Sequence, residues 1–567
     1  MSPLIRNTLI YSIAFLLLFA WWTSLTLGTS TDEYFHHING LKRYNFLITL
    51  GEDTNFHFRN NEFYPGLYDT ISYALGQIIL LINKKFYADN IDFVMHLINV
   101  LFSTLSIIGL YIFTKKVFNK NISYIAVFLT LLNPFFFGHM GMNSKDIVVF
   151  FALIWFCYFF YLYCVEENKI FKNLLLSSFF LGFGCGVRLT FLVVVFPVVV
   201  CGIVYLLNKF KSDYLSLTKR LIPHILIAFF ITIFLVVLCW PHIFTAYKSD
   251  NLIRFLSIVI NNTINWNAGP LIGILNGDFY EVFNTPKTYF LYFFFFRLPI
   301  YFSLLLIFSY FLVISKKLLV INEISNFKIK FLVINIIAFF PIFLALILSV
   351  NIYDNIRLFL FIIPFFCIVA SFAIYELLTK YNINLKYKVL TSIILIFFSL
   401  SFYRFILLTP YQYTYVNYTY PNFKKTEDKF EQDYWGATYK ELIKKMKSKY
   451  TIKEVQQFKV ADCFGGDMTL LYYLSKNFGV KRLYNIDEVP LRATHIVVTN
   501  RSVLNAINNP LLGDLVDKKG VIKTKNMAEV VRTPGVKTTC FSHYTGEELA
   551  KVTRGGVKLS AFRKLDK

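Results

Sequence analysis

A dozen apolar stretches, most of them near the length a bilayer demands, recur between Leu9 and Leu408, and no other feature limits the possible folds so severely. They lie at 9–27, 67–83, 91–113, 121–138, 146–164, 172–187, 189–208, 220–240, 298–315, 330–350, 356–377 and 388–408. Lipid offers a backbone no hydrogen bonds, so every stretch that crosses must be helical. With 56% hydrophobic residues among 567, the chain also carries more apolar surface than a water-soluble core can bury. The expected class is a polytopic α-helical membrane protein. The first stretch is long and no small-residue cleavage site precedes the acids that follow it, so it reads as a retained anchor, not a signal peptide.

The net charge of +23 does not point to nucleic acid, because the basic residues lie in short clusters between the apolar stretches. Lys115 with Lys116, Lys169 with Lys172, Lys209 with Lys211, Lys219 with Arg220, Lys316 with Lys317, and Lys380 through Lys388 are all expected on the cytoplasmic side. These assignments agree with one another if 67–83 does not cross. That stretch is short, follows Tyr64-Pro65-Gly66 and contains Asp69 and Gln77, which suits a helix lying along the membrane surface. The count becomes about eleven spans, with about thirteen as the upper bound. A cytoplasmic N-terminus then puts the 29–66 loop, the Gly138–Lys145 link, the 241–288 loop, the Asn351–Asn355 link and everything after Thr409 on the outer face.

Two domains are expected: a membrane domain over 1–408 and a small soluble α/β domain over 409–567, where the texture turns amphipathic and charged. Tyr439 to Lys449 reads as a helix, and Phe458–Ala461 and His495–Val498 read as strands. Gly465-Gly466 is too sparse for a phosphate-binding loop and no Walker or dinucleotide pattern exists, so ATP is not indicated. Of eight cysteines, six fall in hydrophobic stretches. Cys463 and Cys540 are candidates for pairing if the tail faces an oxidising compartment.

Chemistry is sought among polar groups at helix ends on the outer face, since ionisable residues at membrane depth are costly and tend to be functional or paired. Asp32 and Glu33 follow the first span directly, joined by His36 and His37. Such a block can offer hydrogen bonds or a metal to a polar head group; a solvated loop start is the plain alternative. Glu62 is a supporting acid or metal ligand, or equally a solvated loop acid. In Asn143-Ser144-Lys145-Asp146, Ser144 is expected to cap the following helix and Asp146 to favour its dipole. Arg297 before Leu298-Pro299, and Arg357 after Tyr353-Asp354-Asn355, stand at the outer ends of two spans. Either arginine alone suits snorkelling to lipid phosphates. Together with Lys145 they form a set of cations matched to a phosphate-bearing lipid. Arg188, closing Gly182-Phe183-Gly184-Cys185-Gly186-Val187, ranks lower, and His242 and Trp266-Asn267 read as an interfacial belt.

Taken together these marks resemble the GT-C glycosyltransferases, and within them the protein O-mannosyltransferase and aminoarabinose transferase group, which uses polyprenyl-phosphate sugars. The resemblance rests on Asp32-Glu33 after the first span, on Asn143-Ser144-Lys145-Asp146, and on Gly277 with Arg297-Leu298-Pro299. It rests also on Tyr353-Asp354-Asn355-Ile356-Arg357 with Pro364, and on Pro410-Tyr411-Gln412-Tyr413 with Asp433-Tyr434-Trp435-Gly436, the last marks being those of a bacterial branch. It implies surface helices in the first loop, a bacterial inner membrane, and an inverting transfer of one sugar to a hydroxyl of a protein, lipid or glycan on the outer face. Asp32 would be the base and Glu33 its support or an acceptor contact; Lys145, Arg297 and Arg357 would hold the donor phosphate, with Asp146, Glu62, Asp354 and His36 in support. The relatives' His-Pro-Pro element is Tyr64-Pro65-Gly66 here, and their Lys-Thr-Pro element is Arg297-Leu298-Pro299. Oligosaccharyltransferase members need a divalent ion while mannosyltransferase-like members need none, so neither metal nor cofactor is expected.

A transporter or lipid flippase is the rival class, but it predicts repeated halves and broken mid-membrane helices, and neither an internal repeat nor a charge deep in a span is found. A membrane scaffold leaves the clustering of acids and cations at one face without a purpose.

Overall fold

The computed structural model describes residues 2–58, 61–211, 213–264, 272–282, 285–318, 323–348, 350–381, 385–421, 425–463, 468–484, 493–500, 502–504 and 537–566. The Gly465-Gly466 and Trp266-Asn267 readings lie outside these residues.

The chain is an integral membrane protein built from helices that run back and forth between two ends. In order come α1 (Pro3–Thr26), α2 (Thr31–Ile48), α3 (Leu67–Ile82), α4 (Lys84–Asp89), α5 (Ile91–Val117), α6 (Lys120–Leu132), α7 (Pro134–His139), α8 (Asp146–Val165), α9 (Ile170–Val187), α10 (Phe191–Lys209) and α11 (Tyr214–Leu238). They are followed by α12 (Pro241–Lys248), α13 (Leu252–Ile264), α14 (Tyr289–Tyr292), α15 (Ile300–Ile314), α16 (Phe327–Leu348), α17 (Ile363–Lys380) and α18 (Leu385–Leu407). Among the described residues nine helices are long and apolar enough to cross a membrane, one of them Arg357–Lys380, whose 3-10 start runs into α17. Tyr289–Arg297 and α15 pass the same test only as a pair, bent by 111°, and make a tenth if the two are counted as one span. Leu298 and Pro299 are extended there, as the residue before a proline is driven to be.

The expected 121–138 span is broken for the same reason. Asn133 is extended before Pro134 and its side chain accepts from Phe136 N–H at 3.1 Å, which starts α7 afresh. If α6 and α7 are counted as one interrupted span, the expected eleven are all accounted for. The stretch at 67–83 forms α3, one of the shorter apolar helices and not one of the nine long ones. Asp69 near the start of α3 meets His36 of α2, while Asp92, just after α4, pairs with Lys440 at 2.6 Å, so both flanks of α3 lie at the same end. The basic clusters at 115–116, 169–172, 209–211, 219–220, 316–317 and 380–388 fall at the opposite end, between helices that leave the Asp32 end and helices that return to it.

Beyond the membrane helices, α19 (Tyr439–Lys447), α20 (Ile452–Gln457) and α21 (Met468–Phe478) cover a four-stranded sheet in the order β3-β4-β8-β7. To keep chain order, β1 (Ile272–Leu275) and β2 (Asp278–Glu281) form an earlier hairpin, and β5 (Ser502–Leu504) pairs with β6 (Lys537–Thr539). In the larger sheet, β3 (Val460–Asp462) runs parallel to β4 (His495–Thr499), and β8 (Val557–Leu565) is antiparallel to both β4 and β7 (Gly546–Arg554). The expected small α/β unit is present. One apolar core joins Leu442, Met446 and Phe562 of this unit to Leu27 and Met142 at the membrane helix ends, so the unit is seated directly on the bundle.

Cys463 and Cys540 are joined by a disulfide with their Cα atoms 6.0 Å apart, closing a loop with a sequence separation of 77. Such a link removes freedom from the unfolded chain. Cys463→Ser is expected to cost the C-terminal unit about 3 kcal/mol, read as an earlier thermal unfolding step with unchanged helical signal from the membrane domain.

Candidate active site

The segment after the first span is a helix and not the irregular loop that its polar composition suggests. Ser30 caps α2 by accepting from Glu33 N–H at 3.3 Å, and Glu33 Oε2 accepts from Ser30 N–H at 2.9 Å. This reciprocal capping box is legible in Ser30-Thr31-Asp32-Glu33 as S-x-x-E. It separates the two acids. Glu33 is buried, faces His96 Nε2 at 3.0 Å and accepts from Asn99 Nδ2 at 2.9 Å, which ties α2 to α5. Asn99 also donates to Gly141 O at 3.0 Å, so the link before α8 hangs on the same point.

Asp32 points elsewhere. Its Oδ2 lies 3.3 Å from Arg357 Nη1, and the same nitrogen is 3.4 Å from Asp146 Oδ2. Asp354 Oδ2 is 3.1 Å from Arg357 Nη2 and accepts from its Nε at 3.2 Å. Three carboxylates therefore share one guanidinium, which also lies against the rings of Tyr353 at 5.0 Å and Trp435 at 4.6 Å. The carboxylates differ in reach: the Asp32 side chain is 40% exposed and those of Asp146 and Asp354 only 1%. Asp354 and Asn355 both hold positive φ, 54° and 61°, in a tight turn that Glu431 secures by accepting from Asp354 N–H at 2.8 Å.

Asp146 has a second cation, Arg188 Nη1, at 3.2 Å from Oδ1. Asn143, not the expected Ser144, supplies the oxygen at the start of α8. Its Oδ1 accepts from Lys145 N–H at 3.2 Å and Asp146 N–H at 2.7 Å, because an asparagine side chain reaches the N–H groups two and three residues on. Lys145 is partly buried with its Nζ over the Tyr64 ring at 3.5 Å, and it makes no ion pair among the described residues. Burial, and then Arg188, bring its ammonium down to about 7.

The remaining expected residues divide. His36 Nδ1 lies 3.0 Å from Asp69 Oδ1. Burial opposes the charge on Asp69, but His36, Arg43 and Lys145 outweigh it and hold the carboxyl below its usual range. Arg43 donates to the carbonyls of Asn61 and Tyr64, both at 2.7 Å, and occupies the space beside Gly66, whose φ is +76°. Glu62 turns to His57 at 3.8 Å, and these two with His242 each offer a ligand atom within 4.8 Å of the others. Two imidazoles and a carboxylate suit a borderline metal such as zinc. Arg297, expected with Lys145 and Arg357, is buried, donates from Nη2 to Tyr413 O at 3.2 Å and lies over Phe430, while its Nε and Nη1 have no hydrogen-bond partner among the described residues. Arg188, ranked low from the sequence, pairs with Asp146 and lies close enough to Lys145 to act on its charge. Its signal was its position at a span end on the same side as Lys145.

Comparisons agree with this architecture. Residues 78–240 match the model of the family described as Dolichyl-phosphate-mannose-protein mannosyltransferase. Among solved structures, ArnT from Cupriavidus metallidurans bound to undecaprenyl phosphate is similar with a TM-score of 0.50 at 11% identity, over 86% of this chain and 93% of that one. The archaeal oligosaccharyltransferase AglB from Archaeoglobus fulgidus, in complex with an inhibitory peptide and a dolichol-phosphate, gives 0.45 at 12% identity over 87% of this chain. The chain spans 61% of the length of AglB. Comparison with curated protein sequences returns no match. The resemblance to the GT-C glycosyltransferases read from the sequence is borne out, and the fold is the GT-C membrane fold.

The two acids predict opposite phenotypes. Glu33→Ala strands Ser30 N–H and Asn99 Nδ2 and is expected to cost roughly 3 kcal/mol of stability, measured by thermal unfolding of the purified protein. Asp32→Asn, at a part-exposed site, is expected to leave the unfolding temperature within experimental scatter.

Proposed function

We propose that this protein is an inverting glycosyltransferase that moves a single sugar from a polyprenyl-phosphate donor to a hydroxyl of a protein, lipid or glycan. The observation that carries this reading is the contrast among the three acids on Arg357: only Asp32 is exposed enough to meet an acceptor, and Lys145 stands nearby without a carboxylate of its own. The GT-C fold and the family match over 78–240 support it, as does the undecaprenyl phosphate bound to ArnT.

In this mechanism Asp32 takes the proton of the acceptor hydroxyl while that oxygen bonds to the anomeric carbon. The bond from that carbon to the phosphate oxygen breaks with its electron pair, and the polyprenyl phosphate leaves. Attack opposite the leaving group inverts the centre. Arg357 orients Asp32, while Asp146 and Asp354 fix Arg357. Lys145 and Arg188 stabilise the phosphate in this reading, while Arg357 is surrounded by acids and Arg297 donates from Nη2 to Tyr413 O. Glu33 acts through α2 by holding its first turn. No metal enters this scheme: Asp32 is engaged by a guanidinium, and the trio of His57, Glu62 and His242 does not include it.

The Asp32 end faces away from the cytoplasm in this reading, with the chain in a bacterial inner membrane. Two features support that side: the basic clusters gather at the other end, and a disulfide closes the domain at this end.

Asp32→Asn is expected to abolish transfer from undecaprenyl-phosphate-linked sugars by full-length protein in nanodiscs while the variant still binds undecaprenyl phosphate. A variant with full activity would remove Asp32 as the base. Envelope mass spectrometry of a deletion strain identifies the sugar and acceptor lost, and an unchanged envelope would count against the enzyme reading.

Phosphate binding favours the charged form of Lys145, whose free ammonium titrates at about 7, so binding takes up a proton above that pH. Affinity for undecaprenyl phosphate is therefore expected to be highest below pH 7 and to fall by up to about tenfold per unit above it. Isothermal titration in two buffers of different ionisation enthalpy checks this directly, and Lys145→Arg is expected to flatten the dependence.

A further inference from the structure

Trp435 belongs to the segment that enters the C-terminal unit, yet its contacts are with the membrane-domain site. Its ring lies 4.6 Å from the Arg357 guanidinium, and Tyr353 lies against the same group at 5.0 Å. Its backbone oxygen accepts from Thr31 N–H at 3.0 Å and Thr31 Oγ1 at 3.2 Å, directly before Asp32. Four residues earlier, Glu431 accepts from Asp354 N–H with its carboxylate and from Asn355 Nδ2 with its backbone oxygen at 3.0 Å. The segment therefore grips the chain at Asp32, at Arg357 and at Asp354.

The turn carrying Trp435 is itself tightly specified. Buried Asp433 accepts from Tyr413 Oη at 2.5 Å, from Ala437 N–H at 3.1 Å and from Thr438 N–H at 3.3 Å. Gly436 follows at φ +67°, where a Cβ would come within 2.3 Å of the Tyr439 ring. Gly28 N–H donates to Ala437 O at 3.3 Å, which binds the start of the α2 segment to the same turn. Trp435 is 2% exposed, and its indole N–H has no partner among the described residues. The ring is thus held by its faces and its backbone, not by its N–H.

We propose that Trp435 is a positioning residue of the transfer site, through which the C-terminal unit fixes the Asp32–Arg357 pair in one geometry. This rests on the transferase reading above. An aromatic face is required, because it packs on a guanidinium already surrounded by acids; the indole N–H is not.

The test uses full-length protein in nanodiscs and two independent readouts. Phenylglyoxal modification of Arg357, mapped by peptide mass spectrometry, reports the pair without any turnover. Transfer from undecaprenyl-phosphate-linked sugars reports catalysis. In Trp435→Leu, which keeps apolar volume, and in Trp435→Ala, Arg357 is expected to lose its protection. In both, kcat is expected to fall about 100-fold with donor KM nearly unchanged. Trp435→Phe is expected to restore both readouts. A folded Leu variant with Arg357 still protected and kcat intact overturns the proposal, as does a Phe variant that loses donor affinity, which would make the N–H a donor contact. If wild-type protein transfers none of these sugars, the enzyme reading is what fails, and Arg357 protection still decides the role of Trp435.

Discussion

Everything at the Asp32 end depends on one buried guanidinium. Arg357 is shared among Asp32, Asp146 and Asp354, which come from the start of α2, the start of α8 and a turn before the 357–380 span. A buried charge is tolerated only where its desolvation is offset by partners with good geometry. Arg357 therefore holds three distant segments to one point, and the loss of either buried carboxylate, Asp146 or Asp354, leaves a cation short of compensation. The consecutive left-handed residues Asp354 and Asn355 fit this view: two unfavourable backbone states persist because Arg357 and Glu431 over-determine the turn.

The fold supplies that convergence through helix ends. Short links return the helices to the Asp32 end, the surface helix α3 begins and ends there, and proline breaks at 134 and 299 let the chain turn where straight helices would carry it past. The C-terminal unit shares a core with Leu27 and Met142, so it is part of the same packed body and closes one side of the site with Trp435.

Much of this was readable before any coordinates. Hydropathy located the long helices because lipid leaves a backbone no alternative to helix, and the shorter stretch at 67–83 also forms a helix, α3. The capping box was written in Ser30 and Glu33 but is easily passed over when both acids are weighed as a catalytic pair. Local pattern does not tell which arginine meets Asp146: Arg188 and Arg297 both sit at span ends, and only packing decides that Arg188 reaches Asp146 while Arg297 reaches Tyr413 O. Nor could it reveal Trp435, whose backbone contact with Thr31 bridges 404 positions.

Charge links the proposed base to the proposed phosphate cations. Asp32, Asp146 and Asp354 face Arg357 and Arg188, which leaves an excess of one negative charge until Lys145 is protonated. Under the proposed mechanism an anionic lipid binds best when Lys145 carries its proton, the state favoured below about 7. In the proposed transfer the leaving phosphate gains negative charge as the acceptor proton reaches Asp32, and neutralising that carboxylate leaves the cluster with a net positive charge that offsets it. Proton transfer and leaving-group stabilisation become one electrostatic event, with no separate general acid needed. In the proposed cycle, once Asp32 returns its proton to solvent the three carboxylates again balance Arg357, Arg188 and Lys145, and the loss of that net positive charge beside a more anionic product favours its release.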